Sequence, residues 1–208
     1  MNRSLARLCL MALAFLNLRL DAADGADEPG FVALFDGKSL DGWKAEATDR
    51  FTVRDGVIVN DGGTGWLRTL KPYKDFEFRA EYRIVAKGSD TGLLFRATLE
   101  GTPKPPNWPL KGYQLQIIDG DSHLMIFGHG APLKFDRDAE ALKGVQKGLG
   151  VWQSIALKVI GAHAEAALNG KIITKSDAIA LPEGFLGLQG ENGRFEWRAL
   201  RIKEFPAP

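Results

Sequence analysis

Residues 76–84 read FEFRAEYRI, with apolar side chains at the even positions and charged side chains at the odd positions. Successive side chains of a β-strand point to opposite faces of the sheet, so this alternation predicts a strand that buries only one face. The other face is expected to meet solvent or a groove. We therefore start from a sheet that packs an apolar layer on one side and carries charges on the other.

The rest of the chain repeats this pattern in shorter pieces. From Gly30 onward, Gly, Asn, Asp or Pro interrupts the sequence every 8 to 12 residues, and β-forming runs lie between these breaks. Such spacing is typical of a sandwich or a barrel. The pairs Asp55-Gly56 and Asn169-Gly170 predict two tight hairpins. The sole helical candidate is the segment 136–145, so the sequence predicts an all-β domain.

The N-terminal segment resembles a secretory signal peptide. Arg3 and Arg7 precede an apolar run over residues 8–16, and the small residues Ala22 and Ala23 follow it. The run is far shorter than the roughly 20 residues of a membrane-spanning helix. We expect a signal peptide over 1–22, a linker over 23–30 and a single domain over 31–206. This predicts a periplasmic or secreted protein without membrane insertion.

The charge balance limits the classes of partner. Removal of residues 1–22 would take three basic residues from 27 and one acidic residue from 26, which leaves a net charge of −1. Nucleic-acid binding needs a basic stripe that neutralises phosphates, and an anionic membrane attracts basic segments. The only cysteine, Cys9, lies in the predicted signal peptide. We therefore expect no nucleic-acid partner and a largely uncharged substrate.

A series of short motifs resembles the 3-keto-disaccharide hydrolase family. The opening motif is LFDGKSLDGW at residues 34–43. Further motifs follow in family order: WLRT (66–69), DFE (75–77), TGLLFR (91–96), GYQLQIID (112–119), GVWQ (150–153), LNG (168–170), GLQ (187–189) and RIKE (201–204). The resemblance implies a concanavalin-like jelly-roll sandwich of two antiparallel sheets. It also implies cleavage of 3-keto-disaccharides or 3-keto-glucosides, although a fold transfers more safely than an activity.

The chemistry of such a substrate defines the groups to look for. A ketone at C3 makes the C2 proton acidic, so a base can remove it and the enolate can expel the oxygen on C1 before water adds. This route needs a base, a group that stabilises the oxyanion and a proton donor. Direct hydrolysis needs two carboxyl groups that flank the bond. Both routes predict carboxylates on a polar surface with a cation nearby.

Strand alternation nominates the residues of one polar patch. If Leu93 and Phe95 point into the core, Arg96 points to the other face, and Gln114 and Gln116 share the outer face of their strand. The candidate catalytic residues are Glu77, Arg96, Asp119 and His129. The candidate substrate-binding residues are Glu81, Trp108, Gln114 and Gln116.

Each group of candidates has a structural alternative. Glu77 and Glu81 could belong to a solvated strand face with cross-strand ion pairs. Asp119 could serve only to close a turn. Trp108 lies in a proline-rich loop over 101–109 and suits a platform on which a sugar ring stacks, whereas Trp43, Trp152 and Trp197 suit the core. Gln114 occupies a position where relatives commonly have Glu, and an amide cannot act as a base.

Metal and cofactor signals are weak. His123 and His129 are six residues apart, but the sequence contains neither HxH nor HExxH, so we expect no transition-metal site. Asp119 and Asp121 could hold calcium, although no EF-hand pattern surrounds them.

Three functions remain open from the sequence. An exported glycoside-cleaving enzyme that acts on an oligosaccharide or glycoside is the leading hypothesis. A non-catalytic carbohydrate-binding module is the alternative, which the glutamine at position 114 favours. The third is a surface interaction protein that has no sugar site.

Overall fold

The computed structural model describes residues 28–101, 107–131 and 133–206. Within these ranges the chain forms fifteen strands and one short helix. The predicted signal peptide and residues 23–27 of the predicted linker lie outside the described residues. No helix in the described ranges is long and apolar enough to span a bilayer. The elements are β1 Val32–Ala33, β2 Trp43–Glu46, β3 Phe51–Arg54, β4 Val57–Asn60, β5 Trp66–Thr69, β6 Phe76–Ile84, β7 Asp90–Ala97, β8 Gly112–Ile118, β9 Ile126–His129, β10 Asp136–Arg137, α1 Ala139–Val145, β11 Gln153–Ile160, β12 His163–Leu168, β13 Lys171–Ser176, β14 Phe185–Gln189 and β15 Phe195–Glu204.

The strands form two antiparallel sheets. The nine-stranded sheet has the order β10-β13-β12-β11-β6-β15-β4-β3, with β1 paired to β15, and the six-stranded sheet has the order β2-β5-β14-β7-β8-β9. Consecutive strands of the chain repeatedly cross between the sheets, as in β5 to β6 and β6 to β7. The prediction of an all-β sandwich of two antiparallel sheets is confirmed.

The stretch FEFRAEYRI forms β6 near the middle of the nine-stranded sheet. Its burial alternates along the whole strand, with Phe76, Phe78 and Tyr82 fully buried. These side chains join a single large core that also contains Leu93 and Leu115 of the six-stranded sheet. Full burial of one large apolar side chain contributes about 1.5–3 kcal/mol, so the alternation alone favours this packing.

Both predicted hairpins are present. Asp55 and Gly56 have φ angles of 50° and 78° between β3 and β4, and Asn169 and Gly170 have φ angles of 48° and 84° between β12 and β13. Two consecutive positive φ angles match the twist of the flanking strands, and Asp-Gly and Asn-Gly accept them at low cost. The helical candidate 136–145 is partly wrong, because its first two residues form β10. Asp138 then caps α1 by accepting a hydrogen bond from the amide of Ala141 at 2.8 Å.

His123 is a structural residue of the interior. It is fully buried, and its Nδ1 accepts a hydrogen bond from the amide of Ile118 at 3.1 Å. Its Nε2 therefore carries the proton of the neutral ring and faces the hydroxyl of Tyr82 at 2.8 Å. Burial, followed by the positive charge of Arg137, lowers the pKa of His123 to about 4.

Acid is therefore expected to weaken the fold through His123. Below about pH 6.5 His123 binds a proton in the unfolded chain, whereas in the folded protein it does not accept one until about pH 4. The free energy of unfolding should fall by about 3 kcal/mol from this group as the pH drops through that window. The variant His123→Asn should be less stable at pH 7 but should lose less stability between pH 6.5 and 4. Chemical denaturation at several pH values measures this, and identical pH slopes for the two proteins would contradict it.

Candidate active site

The outer face of the six-stranded sheet carries polar side chains that are almost completely buried. Gln114 and Gln116 on β8 and Gln189 on β14 are 4%, 6% and 0% exposed. Polar side chains of this kind normally remain at the surface unless a specific network holds them. These buried polar side chains make this face a candidate for a binding or catalytic site.

A hydrogen-bonded line of side chains runs across this face, and we call it the polar row. His129 Nε2 lies 3.0 Å from Gln114 Oε1. Gln114 Nε2 donates to Gln116 Oε1, and Gln116 Nε2 donates to Asp90 Oδ1. Because each amide donates in the same direction, His129 must donate its Nε2 proton at one end and Asp90 must accept at the other. The row holds one histidine and one carboxylate in fixed orientations.

Gly92 makes room for the polar row. It lies on β7 directly opposite Gln116, and a Cβ at this position would lie 2.5 Å from Gln114 Cγ and 2.7 Å from Gln114 Nε2. Any larger residue would therefore push the Gln114 side chain away from Gln116. The glycine of the TGLLFR motif is explained by this close approach rather than by an unusual φ angle.

The variant Gly92→Ala should test the polar row without disturbing the core. Its methyl group meets a side chain and not the backbone, so the melting temperature should change by only a few degrees. Displacement of a positioned catalytic group by about 1 Å can cost about 100-fold in rate, so a loss of that order in kcat/KM for a glycoside substrate is the result expected of a catalytic row. Wild-type kinetics in the variant would mean that the row has no part in turnover.

A second carboxyl group, that of Glu191, lies near the Asp90 end of the row. The backbones of Asp90 and Asn192 exchange two hydrogen bonds, of 2.8 and 3.0 Å, which brings Glu191 beside Asp90. Burial, followed by the charge of Asp90, raises the pKa of Glu191 to about 7. Burial also raises the pKa of Asp90. A carboxyl group that exchanges its proton near neutrality is suited to general acid–base chemistry.

Aromatic rings border the polar row. The indole of Trp108 donates to the carbonyl of Gly190 at 3.1 Å, and its ring meets His129 edge-on at a centroid distance of 6.3 Å. Trp66 lies against Gly187, where an added Cβ would come within 2.4 Å of its Cε3 atom. Trp66 and Leu94 form a small apolar cluster separate from the main core. The structure therefore places Trp108 beside the polar row, and the strand residue Trp66 is a further aromatic candidate on the same face.

Arg96 is not part of this face, so the predicted patch is wrong in this respect. The pairing of β7 with β14 shifts register beside Arg96, whose φ angle is 45°, and this irregularity breaks the alternation. The guanidinium is 1% exposed and donates to the carbonyls of three residues at 2.7–2.8 Å: Lys74, Gly161 and Leu181. It also pairs with the buried Asp75 at 3.2 Å. Arg96 therefore ties loops together.

Glu77 and Glu81 are also placed differently from the predicted patch, because β6 belongs to the other sheet. Glu77 pairs with Arg79 at 2.6 Å and Glu81 pairs with Arg198 at 2.6 Å. Both carboxylates therefore form ion pairs on the strand face, which is the structural alternative to a catalytic role.

A cavity of about 970 Å³ lies over this surface, and four carboxylates line it: Asp36, Asp55, Glu77 and Glu81. Arginines hold the two glutamates, and Asp36 accepts hydrogen bonds from the amides of Lys38 and Ser39 at 2.8 Å. We place the candidate site on the six-stranded sheet because its buried polar side chains form one connected row.

Asp119 lies in a turn, away from the centre of the polar row. Its Oδ2 accepts a hydrogen bond from the amide of Gly88 at 3.0 Å. The carbonyl of Asp121 accepts from Arg137 at 2.8 Å. Within the described residues no cluster of three or more His, Cys, Asp or Glu side chains could hold a metal ion.

Sequence reasoning missed Asp90, Gln189 and Glu191. Asp90 lies two residues before Gly92, so alternation places it on the same face as Leu94, and Gln189 ends the GLQ motif. Glu191 lies two residues beyond the end of β14. Membership of the GLQ motif was the available signal for Gln189, and the two-residue period was the signal for Asp90. No local pattern signals Glu191.

The comparisons with known proteins agree with this fold. The sequence matches the 3-keto-disaccharide hydrolase family, described as a 3-keto-alpha-glucoside-1,2-lyase-like domain, over residues 30–203. The chain belongs to this family. Its membership confirms the resemblance drawn from the motifs.

One curated relative is similar to part of this chain. A 3-keto-disaccharide hydrolase from Bacteroides thetaiotaomicron is 29% identical over 117 residues, which cover 47% of this chain and 40% of that protein. The match thus spans less than half of the curated relative's length.

Solved structures show the same architecture. A candidate glycosyl hydrolase from Parabacteroides distasonis superposes with a TM-score of 0.65 at 22% identity, covering 85% of this chain and 94% of the other. A carbohydrate-binding module from Bacillus subtilis superposes with a TM-score of 0.57 at 13% identity, covering 78% and 96%. These likenesses confirm the jelly-roll fold.

Proposed function

We propose that this protein cleaves 3-keto-glucosides, including 3-keto-disaccharides, by elimination across C1 and C2 followed by addition of water. The observation that carries the proposal is the Glu191 carboxyl, whose pKa is raised to about 7 beside Asp90 at the end of the polar row. Family membership supports the substrate class, and the likeness to a 3-keto-alpha-glucoside-1,2-lyase domain supports the eliminative route over direct hydrolysis.

Glu191 acts as the base in this proposal. Its carboxylate removes the C2 proton, the electron pair forms an enolate with the C3 carbonyl, and the enolate then expels the C1 oxygen. The departing oxygen takes a proton, and Glu191 holds one at that moment. A pKa near 7 suits both halves of this cycle, because the group both accepts and releases a proton at neutral pH.

The polar row supplies donors and a fixed frame. His129 carries a proton on Nε2, and burial lowers its pKa, which favours the neutral ring. Gln116 holds Asp90 in place, so the negative charge that raises the pKa of Glu191 stays next to it. Trp108 presents its ring beside the row, where the C–H face of a sugar can stack. Gln114 cannot act as a base, and the proposal does not require it to.

A non-catalytic carbohydrate-binding module is the second candidate. The glutamine at position 114 favours it, and so does the likeness to a carbohydrate-binding module. This candidate predicts saccharide binding that calorimetry detects and no bond cleavage.

We also propose export to the periplasm or the medium, on the composition of residues 1–22.

A solvent-isotope experiment tests the proposed function. Purified protein is incubated in D₂O with a 3-keto-α-glucoside, with the unoxidised glucoside and an enzyme-free sample as controls. The elimination route predicts release of the leaving group only from the keto substrate, with deuterium at C2 of the 3-keto-glucose formed. Release without deuterium at C2 would contradict the elimination, and binding without release would support the binding module.

A further inference from the structure

Phe127 exposes a large apolar ring beside the polar row. It lies on β9, the edge strand of the six-stranded sheet, and its side chain is 43% exposed. Its strand neighbour Ile126 is 1% exposed and belongs to the main core. Burial of a large apolar ring is favourable, so an exposed ring beside a candidate active site is available to cover a bound molecule.

The strand register places the Phe127 ring on the same face as the row. β8 and β9 pair in an unbroken antiparallel register, in which Phe127 is directly opposite Gln114. Ile126 and Leu115, which are also opposite each other, are buried in the main core, so the next pair points to the outer face. The distance of 3.0 Å between His129 Nε2 and Gln114 Oε1 agrees with this orientation, because His129 lies two residues beyond Phe127 on the same strand.

The neighbours that the register gives this ring are hydrogen-bonding groups. Gln114 is opposite it, at a Cβ separation of about 4.5–5.5 Å for such a pair, and His129 is two residues along. A protein or lipid partner would require a contiguous apolar patch. A sugar ring instead combines an apolar C–H face with a rim of hydroxyl groups, which suits one aromatic ring beside an amide and an imidazole.

Phe127 lies at the end of the row opposite to the proposed base. Asp90 is paired with Ile118, whereas Phe127 is paired with Gln114, four residues earlier on β8. That separation is about 13 Å along the strand, at about 3.3 Å per residue. The sugar ring that carries the ketone must place its C2 at Glu191, near the Asp90 end. The group attached to C1 is therefore the part of the substrate that can extend to Phe127.

We infer that Phe127 is the platform on which the ring of the leaving group stacks. The preferred substrate is then a 3-keto-disaccharide, or a 3-keto-glucoside with another ring as its leaving group, rather than a glucoside of a small alcohol. The inference rests on the proposed function for the placement of the keto ring. The contact between Phe127 and a second sugar ring does not itself require bond cleavage.

The variant Phe127→Ala tests the inference through the ratio of two substrates. The 3-keto derivative of an α-glucosyl disaccharide should lose about tenfold in kcat/KM, mainly through a higher KM, because stacking on the leaving group stabilises bound substrate and transition state alike. Methyl 3-keto-α-glucoside has no second ring and should change by less than about twofold. Phe127→Trp keeps a flat ring and should stay within about threefold of wild type on the disaccharide. Equal losses for both substrates, or no loss for the disaccharide, would overturn the inference.

The matched control is Ile160→Ala on β11 of the nine-stranded sheet. Ile160 is also a strand residue, and its exposure of 41% is close to that of Phe127. Each variant removes an exposed apolar side chain, so both melting temperatures should stay close to that of the wild type. Only Phe127→Ala should change the preference for the disaccharide over the methyl glucoside. The same change of preference in Ile160→Ala would overturn the inference.

A binding experiment separates this inference from the proposed function. Calorimetry with the unoxidised α-glucosyl disaccharide and with methyl α-glucoside needs no cleavage. The wild-type protein should bind the disaccharide about tenfold more tightly, and Phe127→Ala should lose that difference. This result without turnover of either keto substrate would reject only the proposed function. A wild-type protein that binds the disaccharide no more tightly than the methyl glucoside would overturn the inference.

Discussion

Replacement of Glu191 with Gln should lower kcat/KM for a 3-keto-glucoside by about a thousandfold. The amide fills the same space but cannot accept the C2 proton, so the variant loses the base and keeps the shape of the site. In the wild-type protein kcat/KM should rise with pH through about 7 as Glu191 loses its proton. That limb should be absent from the variant. Steady-state kinetics from pH 5 to 9 measures both effects.

The same substitution should not weaken the fold. The folded-state pKa of Glu191 is above its ordinary value of 4.5, so the unfolded chain releases this proton at lower pH and stability is lost as the pH rises from about 4.5 to 7. The neutral amide of Glu191→Gln avoids that loss. We expect a melting temperature at pH 8 that equals or exceeds the wild-type value.

The matched control is Glu77→Gln on the opposite sheet. Alternation made Glu77 a candidate catalytic residue, but its carboxylate pairs with Arg79 on the other sheet. We therefore expect kcat/KM of Glu77→Gln to stay within about twofold of wild type. Surface ion pairs contribute about 0–1 kcal/mol, so stability should also change little. A Glu77→Gln variant that is inactive beside an active Glu191→Gln would place the chemistry on the nine-stranded sheet.

Local alternation was sufficient to predict most of the fold. In β6 every even position is buried and every odd position is only partly so, as the sequence FEFRAEYRI implies. The two hairpins followed from residue pairs that accept positive φ angles. The division of strands between two sheets could not be read from alternation, because each strand has one apolar face whichever sheet it joins. The family resemblance supplied the two antiparallel sheets, but not the sheet to which each strand belongs.

The candidate site was only partly predictable for the same reason. Gln114, Gln116, His129 and Trp108 do lie together, because three of them are on the paired strands β8 and β9. Glu77 and Glu81 shared the expected chemistry but not the sheet. Glu191 reaches Asp90 only through long-range pairing beyond β14, which no local pattern encodes. A two-residue period also fails at an irregularity, and Arg96 lies at one.

The variant Arg96→Met should lower the melting temperature by about 10 °C. The guanidinium satisfies three loop carbonyls and the buried carboxylate of Asp75, which is 5% exposed. Removal of one partner of a buried ion pair costs about 3–5 kcal/mol because the other charge remains without compensation. In a domain of this size each kcal/mol corresponds to about 2–4 °C. Thermal and chemical denaturation measure the loss.

Two further proteins show whether the buried charge causes that loss. The double variant Arg96→Met with Asp75→Asn should recover part of it, because the neutral amide oxygen can still accept the Gly161 amide hydrogen bond of 2.8 Å. Arg198→Met makes the same change in a pair whose arginine is 33% exposed, so its cost should stay below about 1 kcal/mol. Active-site titration should give unchanged turnover per folded molecule of Arg96→Met. An Arg96→Met protein with wild-type stability and no turnover would contradict the structural role and would indicate that Arg96 is a catalytic residue.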